Sequence, residues 1–198
     1  MFDDEDIFLL TVPGWGNSGP QHWQTLWERS YPLARRVEQE NWLYPERDAW
    51  VAALARTLDE IDGKVVIAAH SLGCHTAVAW LLSASLLEQR KVKGLLLVAP
   101  PALPITPERA LASGELPAGA PLPDFSGFGQ PWVQRLPCPA IMVASHDDLF
   151  CEFAEAERMA QGWGVTLVDA GHAGHMGSTA GLGSWQEGQR LLQRLMLA

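Results

Sequence analysis

Residues Lys64–Gly73 read KVVIAAHSLG, and this stretch decides the fold. Lys64–Ala69 is a short apolar run rich in β-branched side chains, the pattern of a strand covered on both faces. The run stops at His70-Ser71-Leu72-Gly73, and amphipathic sequence follows over Leu72–Gln89, which predicts a long helix. Strand, four-residue turn, helix is the setting of the nucleophile elbow G-x-S-x-G, whose sharp turn lifts a serine hydroxyl above the end of a sheet. The turn crowds the positions two before and two after the serine, so both must be small; here they are Ala69 and Gly73. The competing reading makes Ser71 only the N-cap of the helix.

The same alternation runs outward in both directions. Ile7–Val12 reads as a buried strand that ends at Pro13-Gly14, and Gln21–Ser30 as a helix opened by Pro20. Arg35–Gln39 is a weak strand, and Arg47–Ile61 a helix that stops at Gly63. Downstream, Val92–Ala99, Ala140–Ala144 and Val165–Asp169 read as strands, and Glu152–Gln161 and Trp185–Leu197 as helices. Such alternation implies βαβ crossovers and a doubly covered, mostly parallel sheet of about six strands. The expected strand order is 2-1-3-4-5-6, within one α/β domain spanning 1–198. Pro100–Trp132 breaks the rhythm. It is rich in Pro, Gly and Ala, and a segment this long is either a surface loop or functional.

Composition narrows the function. With 198 residues the chain is long enough to bury roughly 70% of its unfolded surface without staples. Fourteen Lys+Arg against 23 Asp+Glu give a formal charge of −9, with no basic run, which argues against nucleic acid or anionic lipid as partner. Cys74, Cys138 and Cys151 are odd in number and far apart, as expected of a reducing compartment. The acidic start (Asp3, Asp4, Glu5, Asp6) lacks the positive charge of a signal peptide, and no apolar run is long enough to span a membrane. The expectation is a cytoplasmic domain. Nine tryptophans favour a concave, aromatic-lined surface, although Trp also fills cores well.

Serine needs a base, and the base an orienting carboxylate. In a parallel sheet, functional groups sit after the carboxyl ends of strands. Asp147-Asp148 follows Ala140–Ala144, and His172 and His175 follow Val165–Asp169, giving the order Ser, Asp, His. Position alone does not choose within either pair. An oxyanion hole requires two N–H groups: Leu72, next to the nucleophile, and one from the loop Pro13–Ser18, where Trp15 is the candidate. His22 either rims the pocket or caps its helix. His75 is expected to pack within its helix, and Cys74 to be a small core residue. His70, His172 and His175 lack a convincing metal-ligand arrangement, and no phosphate-cradling glycine motif occurs, so neither metal nor cofactor is expected.

Four segments together resemble one family: Pro13–Trp27, His70–Gly73, Ala144–Cys151 and Gly174–Gly188. They are similar to the small α/β-hydrolases of the retinoblastoma-binding protein 9 / YdeN-like serine hydrolase family. The resemblance implies a hydrolase core without a large lid domain, an acid at Asp148 and a base at His175 of the Gly174-His175 element. Its pocket-protein partner is not implied here: Leu136-Pro137-Cys138-Pro139-Ala140 lacks the glutamate of L-x-C-x-E. The expected activity is cleavage of a small ester, thioester or amide through an acyl-serine, with no cofactor. The alternatives are a catalytically silent interaction protein on the same fold, or an acyltransferase using the same three residues.

Overall fold

The computed structural model describes residues 6–129 and 134–198. Asp3, Asp4, Glu5 and Trp132, all used in the sequence reading, lie outside the described residues. Six strands form one sheet: β1 (Ile7–Val12), β2 (Ala34–Arg36), β3 (Lys64–His70), β4 (Val92–Val98), β5 (Ala140–Ala144) and β6 (Thr166–Asp169). Their order is β2-β1-β3-β4-β5-β6, and every neighbouring pair is parallel. Order and class match the sequence expectation.

The apolar runs are explained by cover on both faces. Leu10, Val12, Val65, Ile67, Leu95, Leu97 and Met142 point to one side. There they pack against α2 (Arg47–Asp59), α3 (Leu72–Ser83) and α6 (Phe153–Trp163). Leu9, Val66, Ala68, Leu96, Val98, Ile141 and Val143 point to the other, against α1 (Trp23–Ser30) and α7 (Gln186–Leu197).

Several helix boundaries differ from the reading: α2 stops at Asp59 rather than Ile61, α6 runs on to Trp163 rather than stopping at Gln161, and two helix starts move because a side chain caps the backbone. The expected helix Leu72–Gln89 is two: α3 ends at Ser83, and a short α4 (Leu86–Gln89) restarts after Ser85. Ser85 Oγ accepts from the Glu88 N–H at 3.3 Å and Glu88 Oε2 accepts from the Ser85 N–H at 2.7 Å, a capping box that begins a helix rather than continuing one. The helix expected from Gln21 starts at Trp23, because the His22 ring accepts from the Gln24 N–H.

The aperiodic segment after β4 is partly ordered, with α5 (Pro107–Ala112) and a 3-10 turn over Ser126–Phe128. It builds a third apolar cluster in which Leu103, Ile105, Phe125 and Phe128 meet Trp15, Trp50 and Phe150. The tryptophans are chiefly core: Trp15, Trp23, Trp27, Trp50, Trp80, Trp163 and Trp185 are all buried. No helix among the described residues is long and apolar enough to cross a membrane.

Candidate active site

Because the sheet is parallel, the loops after β1, β3, β5 and β6 emerge at one edge, and a cavity of about 330 Å³ opens among them. Its lining includes Trp15, His22, His70, Ser71, Asp147, Phe150 and His175. A second cleft, of about 560 Å³, lies at the opposite ends of the strands around Arg135, Cys138 and Ala198. Among the described residues, the first carries the serine and histidine that the sequence singled out.

Ser71 sits between β3 and α3 with φ 55° and ψ −127°, a conformation that L residues avoid and that a tight elbow imposes. Its N–H donates to the Val98 carbonyl at 2.9 Å, tying the turn to the end of β4. Its side chain makes no capping bond to α3, so the N-cap reading does not account for it. The elbow is crowded as its spacing implies. A Cβ on Gly73 would lie 2.2 Å from the Val12 carbonyl oxygen. One on Gly14 would lie 2.8 Å from Ser71 Cβ and 3.0 Å from the Leu72 nitrogen. The loop after β1 therefore lies directly on the elbow, beside Leu72.

Ser71 Oγ and His175 Nε2 are 2.7 Å apart, and His175 Nδ1 lies 2.8 Å from Asp148 Oδ1. A carboxylate only accepts, so Nδ1 carries the proton and Nε2 presents its lone pair to the Ser71 hydroxyl. The Asp148 side chain is 2% exposed, and its Oδ1 also accepts from the Phe150 N–H at 2.9 Å. The Phe150 ring lies against His175, centroids 4.6 Å apart.

The paired candidates separate cleanly. Asp147 Oδ1 accepts from the Gly174 N–H at 2.8 Å, and that bond, with Ser145, holds its carboxyl below the usual range. His172 is exposed and lies beside His146, ring centroids 5.8 Å apart. His22 does both things considered for it: it caps α1 and lines the cavity. Burial, then Arg36 and His175, push its imidazole down to about 3. His75 is buried in α3, its Nε2–H donating to the Pro101 carbonyl at 2.8 Å. Cys74 is fully buried, which raises its thiol well above the usual range. The Trp15 side chain turns into the third cluster, its Nε1–H donating to the Leu43 carbonyl at 2.7 Å.

Sequence reasoning missed several residues here. His70 entered only as the variable position of the elbow and as a rejected metal ligand, yet its ring is buried at the cavity wall. Ser145 donates to the Gly174 carbonyl from beneath the histidine loop. Arg36 ties down the β1–α1 loop, donating to Asn17 Oδ1 at 3.1 Å and to the Ser18 carbonyl at 2.9 Å. Glu115, from the aperiodic segment, reaches the cavity beside Gly16, and burial raises its carboxyl. Only Ser145 had a local signal, a hydroxyl at the carboxyl end of a strand.

The serine hydrolase family model matches residues 9–194. No curated protein matches the chain in sequence. Among solved structures, one described as a YdeN-like hydrolase from Pectobacterium atrosepticum is 30% identical, covering 97% of this chain and 92% of that one at a TM-score of 0.76. The ydeN product of Bacillus subtilis is 18% identical, covering 98% and 100% at 0.74. The fold is shared more widely: carboxylesterase CesB of Bacillus subtilis, at 15% identity, covers 98% and 83% at 0.60. With the family model matched from β1 into α7, and a 30% identical neighbour aligned along nearly the whole length, the chain belongs to the YdeN-like serine hydrolases.

Proposed function

We propose that this hydrolase cleaves a small ester, thioester or amide through an acyl-serine intermediate, with Ser71 as nucleophile, His175 as base and Asp148 as its orienting acid. The observation that carries the reading is the unbroken hydrogen-bonded line from Asp148 through His175 to Ser71, in the tautomer that attack requires. Ser71 Oγ adds to the carbonyl carbon while His175 Nε2 takes its proton. The oxyanion is held by the N–H groups of Leu72 and Trp15; Gly14, packed on the elbow, brings their loops together. The tetrahedral adduct expels the alcohol, thiol or amine, which leaves with the proton from His175. Water then adds to the acyl carbon, gives a proton to His175, and Ser71 departs with it. A carboxylic acid is released and the enzyme is restored, without a cofactor.

Ser71→Ala tests this directly. Turnover of p-nitrophenyl acetate should fall on the order of 10⁴-fold or more, and fluorophosphonate labelling should vanish, with little change in Tm. A labelled Ala variant would refute the assignment.

A further inference from the structure

The catalytic loop after β6 is built from unusual backbone. Gly174 and Met176, the residues flanking His175, both have φ 57°. Met176 is non-glycine and wholly buried, so the surroundings must enforce this conformation. Consecutive peptide groups are indeed pinned. Asp147 takes the Gly174 N–H and Ser145 donates to the Gly174 carbonyl, both from the β5 side. The next two carbonyls are taken from the opposite side, by groups at the head of α1 and in the elbow. Trp23 Nε1–H donates to the Met176 carbonyl at 2.9 Å, and His70 Nε2 lies 2.8 Å from the His175 carbonyl.

The protons of this second set follow from the partners. The Gln24 backbone N–H can only donate, and it lies 3.1 Å from His22 Nδ1. His22 Nδ1 is therefore an acceptor, and the neutral ring carries its proton on Nε2. His22 Nε2 lies 3.2 Å from His70 Nδ1 and donates to it. That leaves the His70 proton on Nε2, which donates to the His175 carbonyl. A second proton on either ring would set two N–H groups against each other: His22 Nδ1–H against the Gln24 amide, or His70 Nδ1–H against His22 Nε2–H. Both rings are buried, at 3% and 7% exposure, and their burial lowers both imidazoles, which suits a neutral pair.

We propose that His22 and His70 are positioning residues: a one-way chain of two neutral imidazoles, running from the head of α1 to the His175 carbonyl, that sets the ring of His175 against Ser71. The proposal rests on the reading of His175 as base. It goes beyond that reading by giving a role to the variable residue of the elbow and to the cap of α1, neither of which touches the reacting atoms. Its consequence is kinetic. Released from the chain, the His175 ring drifts from Ser71, so acylation of Ser71 slows far more than substrate binding weakens.

The test compares wild type, His70→Leu, His70→Gln and Ser71→Ala. Ester kinetics, the rate of Ser71 labelling by a fluorophosphonate and ¹⁵N spectra of the imidazoles are recorded near neutral pH. Leucine removes both bonds of the ring, whereas glutamine offers an acceptor and an N–H in nearly the same places. His70→Leu should lower kcat and the labelling rate by roughly 10- to 100-fold with KM within about twofold, and His70→Gln should recover most of the loss. The wild-type spectrum should show two neutral Nε2–H imidazoles assigned to His22 and His70. If His70→Leu misfolds, the glutamine variant and the spectrum still decide. Wild-type rates in His70→Leu, no recovery in a folded His70→Gln, or an Nδ1–H tautomer at either ring would overturn the proposal and leave the nucleophile assignment intact. Labelling of Ser71→Ala would instead strike at the catalytic reading beneath it.

Discussion

Acid should unfold this protein through its buried histidines, and His75 isolates the effect. Its ring is 5% exposed on α3, and burial pushes it down to about 4. In the unfolded chain an imidazole titrates near ~6.5. The folded value is the lower one, so the stability this neutral ring contributes is fully present above ~6.5 and is lost as pH falls towards about 4. Across the window from ~6.5 to ~5, the unfolded chain binds a proton that the folded chain refuses. At about 1.4 kcal/mol per pH unit, that amounts to about 2 kcal/mol by pH ~5 from this one group. Glutamine at this position keeps an N–H donor for the Pro101 carbonyl and cannot titrate. His22 and His70, lowered by burial in the same direction, remain in both proteins and cancel in the difference. Urea unfolding followed by tryptophan fluorescence at pH ~7.5 and ~5 gives the two free energies. Wild type should lose about 2 kcal/mol more than His75→Gln over that interval. Equal losses would refute the reasoning, since they would mean that His75 is protonated in the native state or never released on unfolding.

The duplicated candidates give a paired test: Asp148→Asn and His175→Ala should cost on the order of 10³-fold or more in kcat, whereas Asp147→Asn, which keeps an oxygen for the Gly174 N–H, and His172→Ala should keep most turnover. The reverse pattern, in kinetics on the four purified variants, would sink the assignment. Gly73→Ala should destabilise the fold by roughly 2–4 kcal/mol, because its Cβ would stand 2.2 Å from the Val12 carbonyl oxygen, backbone that cannot swing aside; thermal melts check it. A cavity of about 330 Å³ suits short acyl groups, so kcat/KM should fall from acetyl towards palmitoyl esters; a steady rise would contradict it.

The sheet was readable because its strands are covered on both faces and so spell continuous apolar runs, such as Val65–Ala69. Helix ends were less readable, because they depend on which side chain captures an N–H. Ser85 and Glu88 do so at α4, and the His22 ring does so at α1. Ser71 stood out because the elbow constrains its immediate neighbours. Asp147 and Asp148 were inseparable by position, since both leave β5 in the same loop; only the fold sends one to a glycine amide and the other to His175. The meeting of His22 with His70, 48 residues apart in the chain, leaves no trace in local pattern. Tryptophan abundance pointed towards a binding surface, but the rings mostly fill the layers beside the sheet, where Trp23, Trp27 and Trp185 pack on one another.

The two halves of the proposed reaction centre hang from very different supports. Ser71 directly follows β3, a central strand buried along almost its whole length between β1 and β4. His175 follows β6, a four-residue edge strand with a neighbour on one side only and both ends exposed. Fraying of that edge costs far less than global unfolding, and it throws the placing of His175 onto the bonds its loop makes to Ser145, Asp147, Trp23 and His70 while the rest of the sheet stays paired. On warming, catalysis therefore fails before the fold does: an activity curve senses the margin of the sheet, and a melting curve its middle.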